Sequence, residues 1–246
     1  MGLKFLEKGE QIPHIEETLR IYKKAKIGLS QNIYKRGKRP ALLVVDLQNA
    51  FTSPDSILGT KGVSGEVAGV INGAIENTKI IIDAVRKTKF PIVYMTIVFR
   101  EDGADSGTWG EKNPALVEIC RRGSKWVEVD KRVVPQDRDY RIEKRVFSSF
   151  IGTPLHQILT FNRIDTCIVT GLSISGCVRQ TTIDAVSYGY YAVVPEECVG
   201  DRSLGIYKTS LFDIMTKTAD VAPLTEVLDW IDNLSRKEEK LLKSRP

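Results

Sequence analysis

Histidine is almost missing from this chain: among 246 residues only His14 and His156 carry an imidazole. That scarcity leaves little of the side chain that most often serves as general base and metal ligand. The four cysteines, Cys120, Cys167, Cys177 and Cys198, fall in separate segments with no C-x-x-C pair, which argues against a zinc site and against a disulfide framework. No apolar run approaches the roughly 18 residues of a membrane span, and the start Met-Gly-Leu-Lys-Phe-Leu has too short a core for a signal peptide. The expectation is a cytoplasmic protein with reduced thiols and no membrane partner. The net charge of +5 gathers in Lys35–Arg39 and Ser235–Arg245, but neither run interleaves aromatics and the second mixes signs. Both read as solvated surface, so no nucleic-acid partner is expected.

What is present is the pattern of one sizeable α/β domain, with 42% hydrophobic and 27% charged residues. Residues 1–40 form a polar arm with a helix over Ile15–Lys26, residues 41–235 the domain, and 236–246 a charged tail. An arm of this kind often packs on a neighbouring subunit. Ala41-Leu-Leu-Val-Val-Asp46 is the first strand, Glu66–Lys87 a long amphipathic helix, and Pro91–Phe99 a strand apolar enough to be buried on both faces. Arg100–Pro135 is a long excursion of the sort that builds a site. Further strands are expected at Arg141–Val146, Thr166–Thr170 and Tyr190–Pro195, with helices at Thr153–Asn162, Ser203–Thr218 and Pro223–Ser235. Strand and helix alternate, so the sheet should be mainly parallel and covered on both sides.

Chemistry concentrates around Cys177. The run Thr166-Cys-Ile-Val-Thr-Gly-Leu-Ser-Ile-Ser-Gly-Cys177-Val-Arg carries a strand through glycines into a helix whose first turn holds the thiol. A helix start favours thiolate and can hold an oxyanion, although a small buried core cysteine would also fit there. Val178, Thr181, Thr182, Ala185 and Val186 make a core-facing stripe, which leaves Cys177 at the sheet rim where open α/β folds bind ligands. Neither histidine is placed to serve the thiol. Asp46, closing the first strand, lies on the same rim and is either a general base or a turn aspartate. Lys144 shares a strand face with Ile142 and Val146, so it is either paired with an acid or exposed at an edge.

These residues resemble the isochorismatase-like cysteine hydrolases. The resemblance rests on Val44-Val-Asp46-Leu-Gln-Asn-Ala-Phe51, Glu143-Lys144-Arg-Val-Phe-Ser-Ser-Phe150 and Val169-Thr-Gly-Leu-Ser-Ile-Ser-Gly-Cys177-Val-Arg179. Ser175–Arg179, Asn162–Thr166, Gly200-Asp-Arg202 and Leu211–Ile214, with the arm ending Asn32–Pro40, are similar to the N-carbamoylsarcosine amidase branch. The resemblance implies a three-layer α/β/α sandwich with a six-stranded, mainly parallel sheet. It implies Cys177 as nucleophile, Asp46 as base and Lys144 as the group that positions and polarises them. It also implies a cis peptide at Leu172–Ser173 that aims the Ser173 and Cys177 amides at the substrate oxygen. Arg202 then meets a substrate carboxylate or, failing that, pairs with Asp201 or Glu196, and Trp109 forms a pocket wall. Nicotinamidases of the superfamily hold a metal through histidines, which Phe99–Asp105 lacks, so neither a metal nor any other cofactor is expected. The implied activity is ammonia release from a small linear amide or N-carbamoyl amino acid by a homo-oligomer. The alternatives are a maleamate- or ureido-acid-type amidase, or a non-catalytic oligomeric binding protein on the same scaffold.

Overall fold

The computed structural model describes residues 15–25, 36–61 and 65–243. The first strand, β1 (Pro40–Val45), is buried along its whole length, and its alternating side chains feed two different cores. Ala41, Leu43 and Val45 face one layer; Leu42 and Val44 face the other. Side chains that are apolar on both faces can be buried only in the middle of a sandwich. β2 (Ile92–Ile97), β3 (Tyr140–Lys144), β4 (Thr166–Leu172), β5 (Tyr191–Pro195), β6 (Val199–Gly200) and β7 (Asp220–Ala222) complete the sheet. The order is β3-β2-β1-β4-β5-β7 with every pair parallel, and the two-residue β6 leans on the end of β4. Six strands therefore make the continuous sheet expected from the sequence, and β6 is an addition too short to leave a pattern.

One layer is built on α3 (Gly65–Arg86) and α9 (Leu224–Lys243). α3 buries Ile71, Ala74, Ile75, Thr78, Ile81, Ile82 and Val85, the i, i+3, i+4 spacing of a single helix face. The opposite layer comprises α6 (Leu155–Phe161), α7 (Arg179–Ser187) and α8 (Leu204–Lys217), which contribute Leu155, Leu159, Ala185, Leu211 and Ile214 to its core. α6 is shorter than expected because Pro154 sits at its start, where a missing N–H costs nothing, and the Thr153 hydroxyl accepts the Leu155 N–H. α9 is longer, running through the segment read as a charged tail. α1 (Ile15–Ala25) sets Tyr22 edge-on to Phe212 of α8, with ring centroids 5.9 Å apart. That part of the arm rests on its own chain; His14 and the arm's junction lie outside the described residues. The short helices α2 (Asn49–Thr52), α4 (Gly107–Lys112) and α5 (Pro114–Ile119) lie in the connections above the carboxyl ends of the strands. No helix among the described residues is long and apolar enough to cross a membrane.

Candidate active site

Asp46 is the first residue beyond β1, and its N–H still donates to Met95 O at 2.9 Å. Its φ of +51° is in the left-handed region, which costs a non-glycine residue energy unless its surroundings hold it there. Gln48 supplies that hold. Its buried carboxamide accepts from Ile97 N at 2.7 Å and donates to Ile97 O at 3.1 Å, standing in for a strand neighbour beyond the end of β1. Lys144 is in register with Ile97 at the end of β3. Although β3 is the sheet's edge strand, Lys144 is only 1% exposed, and its Nζ lies 2.8 Å from Asp46 Oδ2. The ammonium donates to two backbone carbonyls, Val146 at 3.1 Å and Phe147 at 3.2 Å. Proximity to Asp46 makes a buried ion pair, and the carboxylate also lies within hydrogen-bonding reach of the Cys177 thiol.

The third member arrives from β4. Gly171, at φ +115°, lies so close to β1 that a Cβ there would fall 1.9 Å from Val45 O, a placement open only to glycine. The Leu172–Ser173 peptide that follows is cis. Ser173 O then accepts from Gly176 N at 3.1 Å and Val178 N at 3.2 Å, closing a π-helical turn over Ile174–Val178. Among the described residues no acceptor meets the Ser173 N–H. Cys177 is inside this turn, with its thiol within hydrogen-bonding reach of both Asp46 and Lys144. The structure thus brings together Asp46, Lys144 and Cys177, drawn from three segments.

The turn over Ile174–Val178 runs directly into the α-helix that begins at Arg179, so Cys177 lies in the first turn of a continuous helical segment, and its thiol is 6% exposed. Burial pushes its pKa well above the ordinary range, Asp46 pushes it further, and Lys144 opposes both. Burial and Asp46 thus oppose the thiolate that a helix start favours. Asp46 is also raised, because desolvation outweighs the nearby ammonium and the thiol's hydrogen bond. Desolvation opposes the charge on Lys144, but Asp46 and Cys177 overcome it and raise its pKa, so the lysine stays an ammonium.

Residues 40–226 match the family model for the isochorismatase domain. The chain belongs to the isochorismatase family. N-carbamoylsarcosine amidase from an Arthrobacter species is 37% identical over 213 residues, covering 85% of this chain and 77% of that protein. Maleamate amidohydrolase from Pseudomonas putida is 29% identical over 200 residues, covering 81% and 90%. The crystal structure of N-carbamoylsarcosine amidase from Thermoplasma acidophilum superposes with a TM-score of 0.60 at 28% identity, covering 74% of this chain and 96% of that one. A cysteine hydrolase from Pseudomonas syringae pv. phaseolicola gives a TM-score of 0.75 at 24% identity, with coverage of 82% and 96%, a likeness of fold. This isochorismatase-family hydrolase thus has the sheet and layers of its relatives.

Around the trio, Trp109 of α4 packs on Phe147 with centroids 4.3 Å apart, and Phe147 lies 3.4 Å from where a Cβ on Gly176 would sit. Trp109 therefore reaches the turn that carries Cys177 through Phe147, a contact that sequence reasoning missed. Arg202 follows β6; its side chain is exposed and, among the described residues, meets neither Asp201 nor Glu196 as an ion pair. Asp201 instead accepts the Arg202 backbone N–H at 2.8 Å. His156 is exposed on α6, bonded through Nδ1 to Tyr190 Oη at 3.0 Å and stacked on Tyr188, outside the trio. Among the described residues no cluster of His, Cys, Asp or Glu has the arrangement of a metal site. An open cleft of about 600 Å³ lies elsewhere, against α3, lined by Asn49, Thr52, Asn72, Lys125, Asp130 and Arg132 among others. Cys177 belongs to the other layer, so this cleft and the trio do not coincide.

Proposed function

We propose that this chain is a cofactor-independent cysteine amidohydrolase that releases ammonia from a small linear amide or N-carbamoyl amino acid bearing a carboxylate. The observation that carries this reading is the meeting of three buried groups, with Lys144 Nζ 2.8 Å from Asp46 Oδ2 and the Cys177 thiol in hydrogen-bonding reach of both. Asp46 takes the Cys177 proton as the sulfur bonds to the substrate carbonyl carbon. The amides of Ser173 and Cys177 hold the oxyanion, a contribution of about 2.7–4 kcal/mol for each such donor. The C–N bond then breaks, and the proton held by Asp46 leaves with ammonia. Water gives a proton to Asp46 and attacks the acyl or carbamoyl carbon, the C–S bond breaks, and the sulfur recovers its proton from Asp46. Lys144 stabilises the carboxylate between these transfers and fixes its orientation.

Arg202 is the residue suited to a substrate carboxylate, because its side chain is exposed and it follows Asp201, which bonds Ser175 of the nucleophile turn, and Trp109 with Phe147 forms the apolar wall. Identity to the Arthrobacter protein favours an N-carbamoyl amino acid; a maleamate-type substrate is the second reading, favoured by the match to the Pseudomonas putida enzyme. The four free cysteines suit a reducing cytoplasm, where the chain is expected to act as a homo-oligomer. The test is ammonia release from N-carbamoylsarcosine, N-carbamoylglycine, maleamate and nicotinamide by wild type and Cys177→Ala. Turnover that vanishes in the variant supports the mechanism; equal turnover by both overturns it. If no amide is consumed, and iodoacetamide labels Cys177 no faster than Cys120, the scaffold is a binding protein.

A further inference from the structure

β6 ends at Gly200, and the next side chain, Asp201, is an acid only 6% exposed at the rim of the sheet. Its hydrogen bonds run to the two flanks of the site. Oδ2 accepts from Ser175 N at 3.0 Å and from Ser175 Oγ at 2.7 Å, and Oδ1 accepts from Arg202 N at 2.8 Å. Ser175 is the middle residue of the turn that carries the Ser173 and Cys177 amides. A single carboxylate therefore ties that turn to the backbone from which Arg202 projects. The approach is close. A Cβ on Gly200 would come within 2.9 Å of Leu172 Cδ2, so β6 lies tight against the end of β4 just before the cis peptide.

We propose that Asp201 is a positioning residue that sets the oxyanion donors and Arg202 in one register. A substrate whose carboxylate is held by Arg202 then has its carbonyl carbon over the Cys177 sulfur. The inference rests on the amidase reading and extends it: the distance between carboxylate and scissile carbonyl in the substrate is selected by the Asp201 bridge. Asparagine at 201 keeps one acceptor oxygen and turns the other position into a donor, so it can serve Ser175 or Arg202 but not both. Alanine serves neither.

The experiment compares wild type, Asp201→Asn, Asp201→Ala, Ser175→Ala and the Asp201→Ala/Ser175→Ala double variant. Each is assayed with an N-carbamoyl amino acid and with a neutral amide of similar size, and the rate of Cys177 alkylation by iodoacetamide is followed by peptide mass spectrometry. The buried Cys167 and Cys198 are internal controls. Asp201→Ala should lower kcat/KM about 100-fold, the scale of a small misplacement of reacting groups. Its kcat should fall on both substrates while KM rises only for the carboxylated one, and Asp201→Asn should lie between it and wild type. Ser175→Ala should add little in the Asp201→Ala background, and Cys177 should be alkylated several-fold faster in Asp201→Ala as the turn loosens. Unchanged kcat, KM and alkylation in Asp201→Ala would overturn the proposal while leaving the amidase reading intact. If wild type consumes no amide, that reading fails, and alkylation alone decides whether Asp201 holds the turn. Should Asp201→Ala not fold, Asp201→Asn and Ser175→Ala give the same comparisons.

Discussion

Two acid–base pairs flank the loop after β1, and they differ in what surrounds the acid. Asp130 accepts from Arg132 Nε at 2.9 Å, from its terminal guanidinium nitrogen at 2.7 Å and from its backbone N–H at 2.9 Å. Burial alone would raise the Asp130 pKa, but Arg132, with help from Thr52, holds it below the ordinary carboxylate value. Asp46 is fully buried beside one ammonium that also serves two carbonyls, and its pKa goes the other way because desolvation outweighs that ammonium and the Cys177 thiol. The difference is one of burial first and of donor saturation second. A carboxylate whose lone pairs are filled by aligned donors is a structural brace, even beside an open cleft. A fully buried carboxylate holds protons more readily than an ordinary one, and a thiol in reach can supply one.

Removing the reactive pair's partners should have the largest effect. Cys177→Ala and Asp46→Asn should each lower kcat/KM by on the order of 10⁴-fold or more, measured by ammonia release. Cys177→Ala leaves the ion pair in place and should unfold close to wild type. If Asp46→Asn retained activity, saturation would not distinguish the two acids.

Next in size is Lys144→Met, with a loss of about 10²–10³-fold on the scale typical of general-base assistance. Its clearer signature is in the pH profile. Asp46 must be ionised to receive the thiol proton, so kcat/KM should fall as pH drops through its raised pKa, on a limb lying above the ordinary carboxylate value of about 4. The Lys144 charge is what opposes the effect of burial on that pKa. Without it the limb should shift to higher pH; a limb that stays where it was would assign the titration to another group.

How far the sequence revealed this contrast depends on the range of the interactions. Asp46, Lys144 and Cys177 are legible because each stands against its local pattern: an acid closing an apolar strand, a lysine on an apolar face, a thiol after a glycine-rich turn. The sheet is legible because period-two burial and long amphipathic helices are local signals. Gln48 and Asp201 are not, since an amide bonding to β2 and an acid bonding to a turn 26 residues away leave no periodic trace. The surroundings of the thiol were hidden for the same reason. Charge at a helix start can be read locally, but the burial that opposes its effect comes from β4, β6 and α8 packed against the turn. The saturation of Asp130 lies between these cases: Arg132 is two residues away, yet the fork's remaining contacts, Arg132 to Asn72 at 3.0 Å and to Glu76 at 3.4 Å, come from α3.

Arg202→Ala should then act on binding, raising KM for a carboxylated substrate about tenfold or more while leaving kcat for a neutral amide near wild type. A loss confined to kcat would remove the guanidinium from the substrate contact and leave Asp201 serving the turn alone.

The smallest catalytic effect belongs to the braced pair. Asp130→Asn should leave kcat and KM within about twofold, because its bonds end on Arg132 rather than on a reacting group, and should cost about 1–3 kcal/mol of stability at neutral pH. The sign of its pH dependence follows from the lowered pKa. The native state binds the Asp130 proton less tightly than the unfolded chain, so the stabilisation is present above the unfolded carboxylate pKa and is lost as pH falls through the native one. Unfolding curves of wild type and Asp130→Asn should therefore converge towards acid pH. Asp46, with its raised pKa, has the opposite linkage: its contribution declines as pH rises above the unfolded value, so ionisation at neutral pH costs stability at the site that needs the charge for chemistry. Curves that stayed parallel down to low pH would mean that Asp130 contributes through shape rather than charge, and that saturation by Arg132 is not what sets the two acids apart.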